Sequence, residues 1–151
     1  MGYISNIRKK VGNDAIFMPA AGCCIIKDGK ILLQKRSDNN KWAIHGGCLE
    51  LGENFLEALK REVKEELNVK LINPEFIQIY SGEDMHYIYP NNDEVYTIMA
   101  VYLVKEFEGS LKSNEEVSQL EWFDIDSLPE DIHTSDINPI NDAISYYRKN
   151  L

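Results

Sequence analysis

The chain reads as an α+β domain with helices on both sides of a mixed sheet, and three observations predict it. Strand-like and helix-like segments mix without a regular βαβ alternation. Residues 94–106, with Val95, Thr97, Ile98, Val101, Tyr102, Leu103 and Val104, form a long apolar run that suits a central strand buried on both faces. Residues 53–67 place Leu56, Leu59, Val63 and Leu67 on one stripe at helical spacing, the pattern of a helix laid on a sheet.

Taken in order, residues 3–11 set Ile4, Ile7 and Val11 at helical spacing and predict a short amphipathic helix within an N-terminal arm, 1–14. The arm either covers the domain or contributes to a homodimer. Residues 15–27 read as a strand interrupted near Pro19. Asp28-Gly29 is a hairpin signal, and residues 31–36 form the partner strand. Residues 37–41 form a polar loop, and residues 42–45 lead into a glycine turn at Gly46-Gly47. After the central helix, residues 69–80 give a strand or two around Pro74. Residues 85–89 pair with 94–106 across a turn at 90–93. Residues 119–123 are a last strand, and residues 139–147 a closing helix with Ile140, Ala143, Ile144 and Tyr147 at helical spacing.

With 151 residues and no linker-like or low-complexity tract, one domain spanning 1–151 is expected. The formal charge of -9 argues against general nucleic-acid binding, which needs a basic face, and against an anionic membrane surface. It leaves room for an anionic small substrate, because a bound metal reverses the field inside one cleft. The N-terminus has no apolar signal segment. Cys23, Cys24 and Cys48 form no Cys-x-x-Cys pair, so free thiols in a reducing cytoplasm are expected. Adjacent Cys23 and Cys24 should point to opposite faces of their strand. Cys48 has no His-Asn or His-Asp arrangement to make it a nucleophile.

Residues 46–69 are the most informative stretch. The helix carries Glu62, Glu65 and Glu66. At about 100° per residue, Glu62 and Glu66 lie about 40° apart, and Glu65 about 100° from Glu66. Like charges this close destabilise a helix unless a divalent cation neutralises them. Carboxylate oxygens are hard ligands suited to Mg²⁺, which completes its shell with water and substrate phosphate.

The run Gly47, Glu53, Arg61-Glu62-Val63, Glu65-Glu66 and Val69 resembles the signature of the Nudix hydrolase family. Asn68 stands where that family has Gly. Asn is the next most tolerant residue for the left-handed conformation that ends a helix. The resemblance sharpens the fold to the family's α/β/α sandwich with a mixed sheet. It implies Mg²⁺, or Mn²⁺ in its place, held by Glu62, Glu65, Glu66 and the backbone carbonyl of Gly47. It implies that Arg61 pairs with Glu53 and so holds the loop to the helix, although Arg61 also lies four residues after Glu57 on one helix face. Direct catalytic roles are weighed for Glu65 and Glu53. A general base from a loop outside the signature is implied: Glu116 is the first choice, Glu115 the alternate and Glu94 the third.

Arg36 resembles a family position that touches substrate phosphate; a surface ion pair is the plain alternative. His45 replaces the proline that commonly precedes the two glycines. It would donate to a phosphate or only pack in its strand. Trp42, Tyr87, Tyr89 and Tyr96 are aromatics fit to stack a nucleobase or to fill the core. His86 and His133 show no ligand spacing. The implied activity is Mg²⁺-dependent hydrolysis of a nucleoside diphosphate linked to another moiety, such as ADP-ribose, a nucleotide sugar or a dinucleoside polyphosphate. Two alternatives stand beside it. One is a house-cleaning hydrolase of nucleoside triphosphates, of MutT type. The other is a non-catalytic nucleotide sensor, against which the intact Glu62, Glu65 and Glu66 argue.

Overall fold

The structure is a computed structural model and describes residues 2–113 and 117–151. The backbone runs α1 (Tyr3–Val11), β1 (Ile16–Lys27), β2 (Lys30–Arg36), β3 (Trp42–Ala43), β4 (His45–Cys48), α2 (Phe55–Leu67), β5 (Lys70–Ile72), β6 (Glu75–Tyr80), β7 (His86–Ile88), β8 (Glu94–Val104), β9 (Glu106–Glu108), β10 (Val117–Asp124) and α3 (Ile137–Lys149). The main sheet is ordered β10-β2-β1-β8-β6, with β3 on β2, β4 on β1 and β7 on β8. A second small sheet joins β5 to β9, a pairing with too few apolar residues to stand out in the sequence.

The parallel β1–β8 pair is the spine, in register from Ile16–Val95 to Ile25–Val104. Its residues alternate between two cores. Cys24 and Ile26 join Ile140, Ala143 and Ile144 of α3; Cys23 and Ile25 join Leu59, Val63 and Leu67 of α2. The result is helix, sheet, helix, with the two cysteines on opposite faces.

Pro19 does not interrupt β1. Its carbonyl accepts from the Leu49 N–H, so its nitrogen points to that side and costs no bond to β8. Asp28 and Gly29 both have positive φ, 52° and 75°, as a two-residue hairpin of type I′ requires.

The central helix starts at Phe55, two residues later than expected, because Asn54 caps it. The Glu57 N–H donates to Asn54 Oδ1 at 2.8 Å, and the Asn54 N–H donates to Glu57 Oε1 at 3.0 Å. Glu57 is thereby committed to the cap, and Arg61 pairs elsewhere. At the other end Asn68 takes the left-handed conformation, φ 63°. Gly46-Gly47 is not a turn but part of β4, paired with Ala21 and Gly22 of β1.

Candidate active site

The glycines of β4 let β1 and the Glu62 side chain of α2 come close to its backbone. A Cβ on Gly46 would fall 2.0 Å from the Ala21 carbonyl oxygen, and one on Gly47 would fall 2.4 Å from the Glu62 carboxyl carbon. Only a bare backbone fits there. The Gly46 N–H donates to Glu66 Oε1 at 3.0 Å, and Glu66 is buried.

Arg61 organises the outer side of the same helix. Its Nε and Nη2 grip Glu53 at 2.7 and 2.9 Å, its Nη2 also reaches the Cys48 carbonyl at 3.0 Å, and its Nη1 meets Glu62 at 2.9 Å and Glu65 at 3.4 Å. The Glu50 N–H completes the hold on Glu53 at 2.8 Å. Hydrogen bonds from Arg61, then from the Glu50 backbone, lower the Glu53 carboxyl to about 2. Burial first, with Glu62 and Glu50 beside it, pushes the Cys48 thiol up to about 11, which keeps it protonated and a poor nucleophile.

Glu62, Glu65 and Glu66 line one cleft of about 390 Å³ with Gly46, Gly47, Cys48 and Glu50. Among the described residues no three acidic, His or Cys side chains converge as a ready metal cage, since Arg61 draws Glu62 and Glu65, and Glu66 turns to Gly46. The donor set nevertheless fits Mg²⁺ in its chemistry. It is all oxygen, its acids share one cleft, and Gly47 leaves Glu62 room beside the strand backbone.

A second cavity of about 460 Å³ adjoins the first at β4. The two share Gly46, Gly47, Cys48 and Glu66. Arg36, Tyr87, Tyr89, Gln34, His133 and Asp136 are among its lining. Arg36 binds both oxygens of Asp38 at 2.8 Å, and its guanidinium lies 5.3 Å from the Tyr87 ring centre and 5.8 Å from that of Tyr89. Those hydrogen bonds hold the Asp38 carboxyl below its usual range. His133 packs edge-on to Tyr87, and burial, then Arg36, lowers it to about 4. Asp136 is buried and accepts the Ile44 N–H at 3.1 Å; burial pushes its carboxyl up to about 6.

Several expected substrate contacts are placed differently. His45 is fully buried; its Nε2 donates to the Leu32 carbonyl at 2.8 Å, and its Nδ1 takes the Gln34 amide at 3.1 Å. With both nitrogens committed inside the protein, its ring has no donor left for a phosphate. Trp42 is also buried, edge-on to Phe123 at 4.9 Å, and lines neither cavity. Tyr96 stacks on His86. Tyr87 and Tyr89 alone of the four aromatics line the larger cavity. Glu94 accepts from His86 Nε2 at 2.7 Å and lines neither cavity. Glu115 and Glu116 lie outside the described residues. Gln34 and Asp136 carry no signal of this site in the sequence pattern, and His133, without ligand spacing, nevertheless lines the cavity. Asp136 marks only a helix start, as a polar residue directly before the apolar pattern of α3.

The NUDIX domain family model matches residues 16–143. The chain belongs to the NUDIX hydrolase family. It is 33% identical to an ADP-ribose pyrophosphatase of Methanocaldococcus jannaschii over 108 residues, 70% of this chain but only 60% of that protein. It is 33% identical to nucleoside triphosphatase NudI of Escherichia coli K12 over 125 residues, 77% of this chain and 86% of that protein. Among solved structures, a MutT NUDIX hydrolase from Burkholderia pseudomallei superposes with a TM-score of 0.73 at 26% identity, covering 84% of this chain and 98% of that one. No helix among the described residues is long and apolar enough to cross a membrane.

Proposed function

We propose that this chain hydrolyses a phosphoanhydride bond of a nucleotide, with Glu62, Glu65, Glu66 and the Gly47 carbonyl holding Mg²⁺, or Mn²⁺ in its place. The observation that carries the reading is the meeting of two cavities on Gly46, Gly47, Cys48 and Glu66. A nucleoside in the larger cavity sets its phosphates over the shared glycines, beside the carboxylates. When bound, the metal neutralises phosphate oxygens and lowers the pKa of a coordinated water.

The chain's own residues do the rest. Tyr87 and Tyr89 flank the base, and Gln34 and Asp136 offer hydrogen bonds to its edge. Arg36, at the same cavity, reaches a phosphate by exchanging part of its pairing with Asp38. Arg61 positions Glu62 and Glu65 and pins Glu53; it does not touch substrate. In the chemical step a water oxygen bonds to phosphorus, the bridging P–O bond breaks, and the water's proton passes to a carboxylate. Glu116 is proposed for that role, with Glu115 and then Glu94 behind it. A reducing, cytoplasmic setting suits the three free thiols.

Two substrate classes satisfy this description. The sequence reading favours a nucleoside diphosphate linked to another moiety. One observation favours a nucleoside triphosphate: the chain spans 86% of the triphosphatase relative but 60% of the ADP-ribose pyrophosphatase. A turnover assay with and without Mg²⁺ on ATP and the other triphosphates, ADP-ribose, a nucleotide sugar and a dinucleoside polyphosphate tests the reading. Metal-dependent release of a nucleoside monophosphate supports it. Tight binding of nucleotides without turnover of any would support the sensor instead.

A further inference from the structure

The carboxylate cleft has a wall that the hydrolase reading leaves unexplained. Gly2, Ile4 and Ser5, at the start of α1, form part of its lining. Nothing in the family signature reaches these residues, and the family match begins only at residue 16.

Two polar ties hold α1 there. The Tyr3 N–H, an orphan donor of the first helical turn, donates to Glu50 Oε1 at 2.8 Å, and Glu50 itself lines the cleft. Gly2 has no side chain with which to cap the helix, so Glu50 does so from across the cleft. Beyond the middle of the helix, Arg8 donates to the carbonyls of Gly12, Asp14 and Glu94 at 3.0, 2.7 and 2.7 Å. This fastens α1 to the β7–β8 hairpin. No residue of α1 is fully buried, so these ties add to the packing of half-buried Ile4, Ile7 and Val11 in setting its position.

The described residues that line the cleft include no lysine, arginine or aromatic side chain. Such a lining offers nothing to stack a second base. It suits a compact anion that reaches the carboxylates through their metal.

We infer that α1 sets substrate choice by limiting what lies beyond the scissile anhydride. The walled cleft takes phosphate or pyrophosphate as the departing group and shuts out a second sugar or nucleoside. Tyr3 and Arg8 are the positioning residues that hold the wall. The inference rests on the hydrolase reading for the location of the scissile bond, and it selects nucleoside triphosphates within that reading.

Tyr3→Pro isolates the first tie. Proline is accepted at the first helical position, and Gly2 already has the extended backbone, φ −76° and ψ 169°, that precedes a proline. The substitution therefore keeps the helix and removes the N–H that binds Glu50. Tyr3→Ala loses the same side chain but keeps that N–H. Arg8→Met breaks the second tie.

The measurement is kcat/KM for ATP and for ADP-ribose, which share a nucleoside and differ beyond the second phosphate. Wild type is expected to prefer ATP. The preference should fall by about tenfold or more in Tyr3→Pro and in Arg8→Met, and stay within about threefold in Tyr3→Ala. Hydrogen exchange over residues 3–11 reports release of α1 without reference to activity. A wild type that prefers ADP-ribose overturns the inference, as does an unchanged preference in both variants. If wild type turns over none of the nucleotides named above, the hydrolase reading fails, and calorimetric binding of ADP-ribose in the presence of Mg²⁺ decides separately about the wall. Tighter binding in Tyr3→Pro than in wild type supports the wall; equal binding overturns it.

Discussion

Arg61 and Glu53 face each other as planar forks, Nε to Oε2 at 2.7 Å and Nη2 to Oε1 at 2.9 Å, and through this pair the loop before α2 is fixed to the helix that carries the acids. Lysine cannot reproduce a two-pronged contact, because its ammonium is a point charge. Arg61→Lys should therefore cost stability on the scale of a partly exposed charge pair, about 1 kcal/mol at pH 7. It should lower activity more than that, because Glu62 and Glu65 lose their organiser. The pH dependence has a definite sign. Glu53 has a folded pKa of about 2 against an ordinary 4.5, so its contribution is complete above pH 4.5 and fades as pH falls toward 2. Melting temperatures of wild type and Arg61→Lys should converge as the pH is lowered from 7 to 3. A constant gap would mean that the pair is not what the substitution disturbs.

Glu66→Gln tests the metal site without threatening the fold. The glutamine carbonyl can still accept the Gly46 N–H, and removing one of three neighbouring acids relieves repulsion. Activity should fall well beyond tenfold, a barrier change of more than ~1.4 kcal/mol. Mg²⁺ should stabilise the wild type by about 2.7 kcal/mol at a hundredfold excess over its dissociation constant, and the variant by less. Glu65→Gln should lose activity similarly. More than a tenth of wild-type rate at saturating Mg²⁺ in either variant would remove that carboxylate from the essential ligands.

Asp136 gives the larger cavity a pH response of its own. Its folded pKa of about 6 stands above the ordinary 3.8, so the native state binds its proton more tightly than the unfolded chain does. The resulting stability is complete below pH 3.8 and is lost as pH rises through 6. His45 and His133 act oppositely. Both are lowered to about 4 from 6.5, so stability is lost as pH falls from 6.5 toward 4. An asparagine in place of Asp136 would keep an acceptor for the Ile44 N–H and never ionise. Asp136→Asn should therefore raise stability at pH 8 by as much as about 3 kcal/mol, with most of the gain gone by pH 4. Urea unfolding at the two pH values checks this, and an equal difference at both would show that Asp136 ionises freely.

The contrast between α2 and Asp136 marks how far the sequence could be read. Leu59, Val63 and Leu67 report the buried face of α2 through local spacing alone, and Asp28-Gly29 needs only two positive φ angles. Both are short-range facts. Gly46-Gly47 reads as a turn because glycine has two uses; here the close approach of the β1 backbone at Gly46 and of Glu62 at Gly47, rather than a reversal, demands it. Glu57 looked available to Arg61 until the capping box claimed it. His45 and Trp42 lay next to the signature in sequence, but β2 and Phe123 enclose them. Gln34 and Asp136 meet at one cavity only because β2 and the start of α3 converge there, and no local pattern records a meeting between residues so far apart in the chain.

The general base is the remaining role to assign. Glu116→Gln should lower kcat by roughly 10²–10⁴-fold while leaving substrate binding nearly intact, because a base acts in the transition state. Extra Mg²⁺ should not restore it, whereas a loss at Glu65 should be partly restored by more metal. Glu115→Gln and Glu94→Gln belong beside it. Glu94 already has a partner in His86 and lines neither cavity, so its variant should keep most of the activity. Full activity in Glu116→Gln with failure of Glu94→Gln would move the base to the β7–β8 hairpin and require the His86 pairing to break during turnover. Activity in all three would leave the water to be activated by the metal and the carboxylates of α2 alone.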